Sequence, residues 1–167
     1  MLEFSLRHDI DCSAERFWEL FFDEDFTRTM IVEGLDFARC DIDPVQERGD
    51  KRTRTMRVTP KLDVPAAVAR LLGPALTYTE EGAYLVSKQL WTYTLRLSVL
   101  SDRIRMGGKL RIEPRDGDRC LRVSDLWCEV KLLGLGGMVE KAAEKNMRDG
   151  WNKSAAWMNG WLAEHPA

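Results

Sequence analysis

The sequence lacks three features that would narrow its function at once: a long hydrophobic run, an excess of one charge, and clustered cysteines. None of its apolar stretches reaches the roughly 18 residues that cross a bilayer, and the first residues include an early acid and no apolar signal segment. A formal net charge of -2 gives no general attraction to nucleic acid. We therefore expect a cytoplasmic protein with no nucleic-acid partner.

Metal-binding and catalytic motifs are also missing. The four cysteines, Cys12, Cys40, Cys120 and Cys128, form no CxxC pair, and the two histidines do not have ligand-like spacing. No Ser-His-Asp, Walker or dinucleotide-binding pattern occurs, and the glycine-rich step 132–137 precedes a helix without matching GxGxxG. The sequence predicts buried free thiols, no metal, no cofactor, and a strand-to-helix corner at the glycine step.

What the sequence does contain is the composition of one globular domain, with 44% hydrophobic and 31% charged residues. We expect a single domain over residues 1–167. Strict alternation of apolar and polar residues predicts a strand over 2–10. Ser13 and Asp23 are residue types that cap helices, so two short helices should follow. The segment 35–59 predicts two strands joined by a turn.

The segment between Pro60 and Pro74 predicts a short helix, near 65–72, inserted between strands. Its apolar residues recur with helical spacing: Val64, Val68, Leu71 and Leu72. Such a helix either packs as a connector over the open end of the core or acts as a mobile lid or a membrane-touching element. A single apolar face favours the connector, since most such faces pack against the protein.

Three long strands follow and should form a meander. The apolar rows that should face the core are Trp91, Tyr93, Leu95, Leu97 and Val99, then Ile104, Met106, Gly108, Leu110 and Ile112, then Leu126, Cys128, Val130 and Leu132. Ser101 and Asp102 predict a two-residue hairpin between the first two strands. Basic residues should face solvent, or an anionic surface such as a membrane: Lys51, Arg52, Arg54 and Arg57 in one strand, and Arg103, Arg105, Lys109 and Arg111 in another.

The last part of the chain predicts one amphipathic helix of about 27 residues, roughly 40 Å long at 1.5 Å per residue, ending near His165. Small residues, Ala143, Gly150 and Ser154, lie in the middle of its apolar stripe, and tryptophans lie toward its end. An internal glycine lowers helix stability by about 1 kcal/mol relative to alanine. Gly150 therefore indicates that a strand side chain or a ligand approaches closely.

The order of these elements resembles the START-like superfamily, also called SRPBCC or helix-grip, which includes lipid-transfer domains, plant pollen allergens and polyketide cyclases. The stretch 64–73, the strand around Trp91, and the run 130–141, in which the glycine step precedes an apolar residue and Glu140, look like an uncharacterised bacterial START-like family. The resemblance implies an α+β fold in which a curved antiparallel sheet of about six or seven strands grips the long C-terminal helix. It also implies a cavity that binds a lipid, sterol or polyketide-like molecule, and it supplies no catalytic residues.

The favoured hypothesis is a carrier or sensor that binds a hydrophobic small molecule between the sheet and the long helix. The sheet residues expected to bind it are His8, Trp91, Tyr93, Leu95, Met106, Leu110, Leu126 and Cys128. The helix residues expected to bind it are Val139, Ala143, Met147, Gly150 and Ser154. The candidate lid residues are Val64, Val68, Leu71 and Leu72, and transient contact of the lid or the basic strands with a membrane is an open alternative.

Two other functions stay open. An enzyme of the cyclase or dehydratase type would need an acid or base in the cavity, and His8, on the apolar row of the first strand, is the best candidate. A protein-interaction module would use the tryptophan-rich end of the long helix or the inserted helix. Binding is favoured over catalysis because a lone core histidine bonded to a neighbour is more common than a catalytic one.

Overall fold

The computed structural model describes all residues, Met1–Ala167, as an α+β fold. Its strands are β1 Leu2–Ile10, β2 Arg39–Ile42, β3 Gln46–Arg48, β4 Lys51–Thr59, β5 Tyr78–Leu85, β6 Leu90–Leu97, β7 Ile104–Arg115 and β8 Arg119–Val130. Its α-helices are α1 Ala14–Phe22, α2 Glu24–Thr29, α3 Ala66–Leu72 and α4 Gly136–Glu164. A π-helical turn, Met30–Gly34, follows α2, and a 3-10 turn, Val86–Lys88, joins β5 to β6.

The strands form one curved antiparallel sheet in the order β1-β8-β7-β6-β5-β4-β2, with β3 also paired to β4. The first strand therefore pairs with the last, from Leu2 opposite Cys128 to Ile10 opposite Cys120. Helix α4, 29 residues long, contacts β1 and β8. This arrangement confirms the predicted sheet that grips a long C-terminal helix.

The two short helices after β1 begin where the sequence predicts them. The Ser13 hydroxyl accepts a hydrogen bond from the Arg16 amide at 3.1 Å, and the Asp23 carboxylate accepts one from the Phe26 amide at 2.7 Å. Each cap satisfies an amide that has no partner within its helix. The two caps fold the chain back toward the sheet, and Phe17 and Phe26 are buried in the core.

The segment 35–59 contains three strands, one more than the two that the sequence predicts, and the sheet therefore has eight strands. Residues 43–45 separate β2 from β3. Pro44 lies in this gap, and it has no amide hydrogen to donate to a neighbouring strand.

The connection between β6 and β7 is also longer than the predicted two-residue hairpin. Strand β6 ends at Leu97, and Leu100 turns with a φ of 54° while its carbonyl accepts hydrogen bonds from the Arg103 and Ile104 amides. Ser101 and Asp102 thus lie within a six-residue loop, 98–103.

The buried hydrophobic residues form three clusters instead of one continuous core. The largest has 16 residues around α1 and the C-terminal half of α4, the second has 7 around α3 and the start of α4, and the third has 4 beside the π-helical turn. A single domain usually has one contiguous core with smaller satellite clusters. Here the largest cluster and both smaller ones border the same interior space.

Candidate ligand-binding site

A cavity of about 250 Å³ fills the gap between the inner face of the sheet and α4. Of its 35 lining residues 27 are hydrophobic, so the walls are mainly apolar, as small-molecule pockets in proteins commonly are. Every core cluster contributes to it: Phe26 from the first, Val68 from the second and Ile31 from the third. The three clusters are therefore the walls of one chamber.

Most of the residues that the sequence predicts for ligand binding line this cavity. Those from the sheet are Trp91, Tyr93, Leu95, Met106 and Leu110, those from α4 are Val139, Ala143, Met147, Gly150 and Ser154, and those from the candidate lid are Val64, Val68 and Leu72. Their contact with a ligand stays a prediction. Pro65 caps α3, and Val68 and Leu72 are buried beneath it.

Four of the expected residues lie outside the lining. Leu126 packs into the largest core cluster, where its Cδ2 atom would be 2.9 Å from a Cβ atom added at Gly108. Cys128 is fully buried in the same row of β8, and Leu71 is partly buried on another side of α3. These side chains fill solid parts of the core.

His8, the fourth, is held by two neighbours away from the cavity. Its Nε2 atom is 2.7 Å from Asn152 Oδ1, and its Nδ1 atom is 3.3 Å from an Arg122 nitrogen. Burial lowers the pKa of His8, the hydrogen bond to Asn152 opposes this, and the charge of Arg122 lowers the pKa further. A neutral ring that donates from Nε2 and accepts at Nδ1 satisfies both contacts. His8 is thus placed to orient Arg122.

Open space surrounds Gly150 on α4. A Cβ atom added there would meet no other atom within 4 Å, and Gly150 lines the cavity. The sequence suggests that either a strand side chain or a ligand approaches Gly150, and in the structure no strand side chain does. Gly150 therefore lies at an open part of the helix surface, which lines this cavity and a second, more polar one beside it.

Arg54 and Glu80 form a buried ion pair in the cavity wall, which the sequence analysis missed by placing Arg54 in solvent. Their nitrogen and oxygen atoms are 3.5 Å apart, and Arg54 also donates to the Phe21 carbonyl. Burial raises the pKa of Glu80, and the charge and hydrogen bond of Arg54 oppose the rise. Arg54 lies two and four residues from the buried Met56 and Val58 in β4, so the period of two places all three side chains on the inner face of the sheet.

Arg122 of β8 is the second buried arginine in the lining, and the sequence analysis missed it as well. Only 2% of Arg122 is exposed. Its guanidinium donates to Ser154 Oγ at 3.0 Å and to the Trp151 carbonyl at 2.7 Å, and it lies 4.6 Å from the centre of the Trp151 ring. Burial lowers its pKa to about 9, so it remains charged at neutral pH.

A second, more polar cavity of about 200 Å³ adjoins the first. The two share five lining residues: Leu35, Phe37, Leu62, Asn146 and Gly150. Ion pairs cross this region between Lys61 and Asp36 and between Lys145 and Asp63. The polar cavity lies between the apolar chamber and charged surface residues.

The tryptophans at the end of α4 are partly buried within the molecule. Trp157 and Trp161 pack against Phe26, with ring centres 5.5 and 4.9 Å apart. They therefore pack against the largest core cluster beside the chamber and do not line it, and the interaction-module function stays untested. No helix of the structure has the length and apolar character needed to cross a membrane.

Comparison with solved structures gives neighbours that share this architecture over nearly the whole chain. A START superfamily protein from Mycobacterium smegmatis is 19% identical, with a TM-score of 0.61 and 97% of each chain covered. The Zhui aromatase/cyclase from Streptomyces sp. R1128 is 14% identical, with a TM-score of 0.59, covering 94% of this chain and 93% of its own. The resemblance to the START-like superfamily is confirmed, and at these identities it establishes the fold.

A third neighbour was solved with small molecules bound. Norcoclaurine synthase from Thalictrum flavum, in complex with dopamine and hydroxybenzaldehyde, is 15% identical with a TM-score of 0.57, covering 99% of this chain and 90% of its own.

No curated protein matches the sequence significantly. A family model described as "Protein of unknown function (DUF2505)" matches residues 5–162.

Proposed function

This chain belongs to the DUF2505 family, and we propose that it binds a hydrophobic or amphipathic small molecule, as a carrier or sensor, in the chamber between the sheet and α4. The observation that carries the proposal is the apolar cavity of about 250 Å³, open beside Gly150 and enclosed by all three core clusters. A lipid, sterol or polyketide-like compound has the chemistry of these walls.

The energetics support binding without catalysis. Removal of apolar ligand surface from water contributes about 25 cal/mol per Å², so an apolar chamber binds such a ligand without any reactive group. A ligand in the chamber would also gain van der Waals contacts with the side chains of its walls.

The neighbours support the use of this fold for small molecules. One is an aromatase/cyclase, and another was solved with dopamine and hydroxybenzaldehyde bound. A cyclase or dehydratase activity based on His8 has no such support here, because both ring nitrogens of His8 are engaged by Asn152 and Arg122 outside the cavity lining.

The adjoining polar cavity is the proposed entrance, and α3, which contributes Val68 and Leu72 to the wall of the apolar chamber, is the proposed lid of that chamber. The loop before α3 is tied to α4 by the Asp63 amide, which donates to Asn146 Oδ1 at 3.0 Å, and by the Asn146 side-chain amide, which donates to the Asp63 carbonyl at 2.8 Å. The Lys145–Asp63 ion pair lies at the same place. Release of these contacts would let α3 move away from the chamber.

Native mass spectrometry in the presence of the neutral apolar probe phenylnaphthylamine tests the proposal. We expect one probe per protein at saturation, displaced by an excess of dodecanol, because the structure has one apolar chamber of this size. Absence of a saturable complex, together with no lipid in an organic extract of the purified protein, would contradict it.

A further inference from the structure

The two buried arginines of the cavity wall differ in how their charges are balanced. Arg54 is paired with Glu80. Arg122 has no acidic partner: the groups that raise its pKa electrostatically are Tyr93, whose own pKa is raised by burial, and Cys120, whose pKa is raised by its hydrogen bond with Cys12 and by burial, so both are neutral at pH 7. One positive charge therefore lies beside an apolar chamber without a negative charge near it.

The hydrogen bonds of Arg122 do not use its full capacity. A guanidinium has five N–H donors. The protein accepts three hydrogen bonds from Arg122, at Ser154 Oγ, the Trp151 carbonyl and His8 Nδ1, and all three acceptors are neutral. The Nε–H group is buried with no partner. The Nε–H group of Arg54 is buried without a partner as well, so the difference between the two arginines is the acidic partner, which only Arg54 has.

The same neighbours hold the guanidinium in one position. The ring of Trp151 lies 4.6 Å from it, and His8 is itself fixed by Asn152. A positive group that is already oriented and dehydrated binds an anion with little further loss of entropy or hydration. Arg122 is thus prepared for a ligand in a way that an exposed surface arginine is not.

We propose that Arg122 binds an oxyanion group, of which a carboxylate is the simplest, on the apolar ligand of the chamber. This inference rests on the proposed function and names the class of its ligand: an amphipathic monoanion whose apolar part fills the chamber and whose charged end meets Arg122 beside Tyr93 and Ser154, which also line it. Arg54 cannot serve in the same way, since Glu80 already neutralises it.

A matched pair of ligands tests the inference. Dodecanoate and dodecanol have the same chain length and differ at the head group, and each displaces phenylnaphthylamine if it enters the chamber. A charged hydrogen bond contributes about 1.5–3 kcal/mol, so wild-type protein should bind dodecanoate about tenfold or more tightly than dodecanol. In Arg122→Met this preference should vanish, so the ratio of the two affinities should fall to about one.

Arg111→Met is the matched control for loss of one positive charge. Arg111 lies on the exposed face of β7, paired with Asp125 at 2.8 Å, and does not line the cavity. This variant should keep the wild-type preference. Equal affinities of wild-type protein for the two ligands, or a preference that survives Arg122→Met, would overturn the inference and leave the proposed function standing. Failure of all three compounds to bind would contradict the proposed function itself.

A measurement on wild-type protein covers the case in which Arg122→Met does not fold. The chain has two histidines, and His8 contacts Arg122 whereas His165 stacks on Trp161 at the end of α4. Dodecanoate bound at Arg122 should offset the positive charge that lowers the pKa of His8, so the NMR titration of His8 should move to higher pH. Dodecanol should not move it. Identical His8 titrations with the two bound ligands would overturn the inference.

Discussion

At the scale of single residues, the buried ion pair of Arg54 and Glu80 is the polar contact on which the stability of the cavity wall depends most. Arg54→Met leaves the Glu80 carboxylate buried without its partner, so we expect the free energy of unfolding to fall by about 3–5 kcal/mol. Urea denaturation measures this. The double variant Arg54→Met, Glu80→Leu should recover most of the loss, and a double variant as unstable as the single one would contradict the account.

Arg122 should behave differently in the same urea experiment. Its removal leaves no charge unpaired, and the unfavourable burial of its own charge disappears along with its three hydrogen bonds. We expect Arg122→Met to unfold within about 1 kcal/mol of wild type. A loss as large as that of Arg54→Met would indicate that Arg122 mainly ties β8 to α4.

Both arginines show where sequence-based prediction of the site stops. Arg122 lies on the same face of β8 as the buried Leu126, and Arg54 lies on the same face of β4 as the buried Met56. The period of two therefore places both arginines on the inner face of the sheet. The charge of an arginine favours the solvent-exposed face instead, because unpaired charged side chains are rarely buried. The missing information is tertiary: Glu80 and the Trp151 carbonyl come from other parts of the chain.

At the scale of elements, α4 carries two glycines beyond its first turn, and both lie in open surroundings. A Cβ atom at Gly150 or at Gly160 would meet nothing within 4 Å. Alanine is favoured over glycine inside a helix by about 1 kcal/mol, so Gly150→Ala and Gly160→Ala should each raise the free energy of unfolding by up to that amount. Thermal unfolding measures the change. A destabilising Gly150→Ala, with Gly160→Ala stabilising, would mean that the space beside Gly150 is already filled.

Helix α3 should control how fast a ligand leaves. Asp63→Asn removes the ion pair with Lys145 and leaves the backbone hydrogen bonds to Asn146 in place. Exposed ion pairs are weak, so stopped-flow release of phenylnaphthylamine should accelerate by no more than about fivefold.

Asp43→Asn is the control for this effect. Asp43 forms an exposed ion pair with Arg57 at 3.0 Å and lines neither cavity. Its release rate should equal that of wild type. Equal rates in all three proteins would show that α3 is a fixed connector, which is the alternative that its single apolar face favoured.

The elements themselves differ in how far the sequence predicts them. Strand β1 and helix α4 are long and strongly periodic, and each is found close to where the pattern places it. The division of 39–48 into β2 and β3 escapes such analysis because strands of four and three residues are too short to show a period. The loop after β6 escapes it because Leu100 adopts a positive φ without being glycine.

At the scale of the whole molecule, the fold leaves room that its own side chains do not fill. The sheet curves around α4, and the three core clusters meet across a chamber instead of merging. The sequence predicts the sheet and the helix, but the size of a chamber depends on how side chains from distant segments pack. The aromatic residues of α1 and α2 that close one end of it, Phe17, Phe21 and Phe26, show no sign of that role in the sequence.

A ligand should therefore stabilise the whole fold. At a free concentration one hundred times its dissociation constant, a molecule that binds only the folded state adds about 2.7 kcal/mol to the free energy of unfolding. Dodecanoate at such a concentration should raise the urea midpoint accordingly. An unchanged midpoint at saturation would mean that the compound binds the unfolded chain equally well.

The central claim is that the chamber beside Gly150 holds the ligand, and titration of phenylnaphthylamine fluorescence in three proteins tests it most directly. Wild type and Gly160→Trp should bind one probe with equal affinity, because Gly160 lies outside the cavity lining. Gly150→Trp should bind at least about tenfold more weakly, since the indole would occupy the chamber. Wild-type affinity in a folded Gly150→Trp protein would contradict the account.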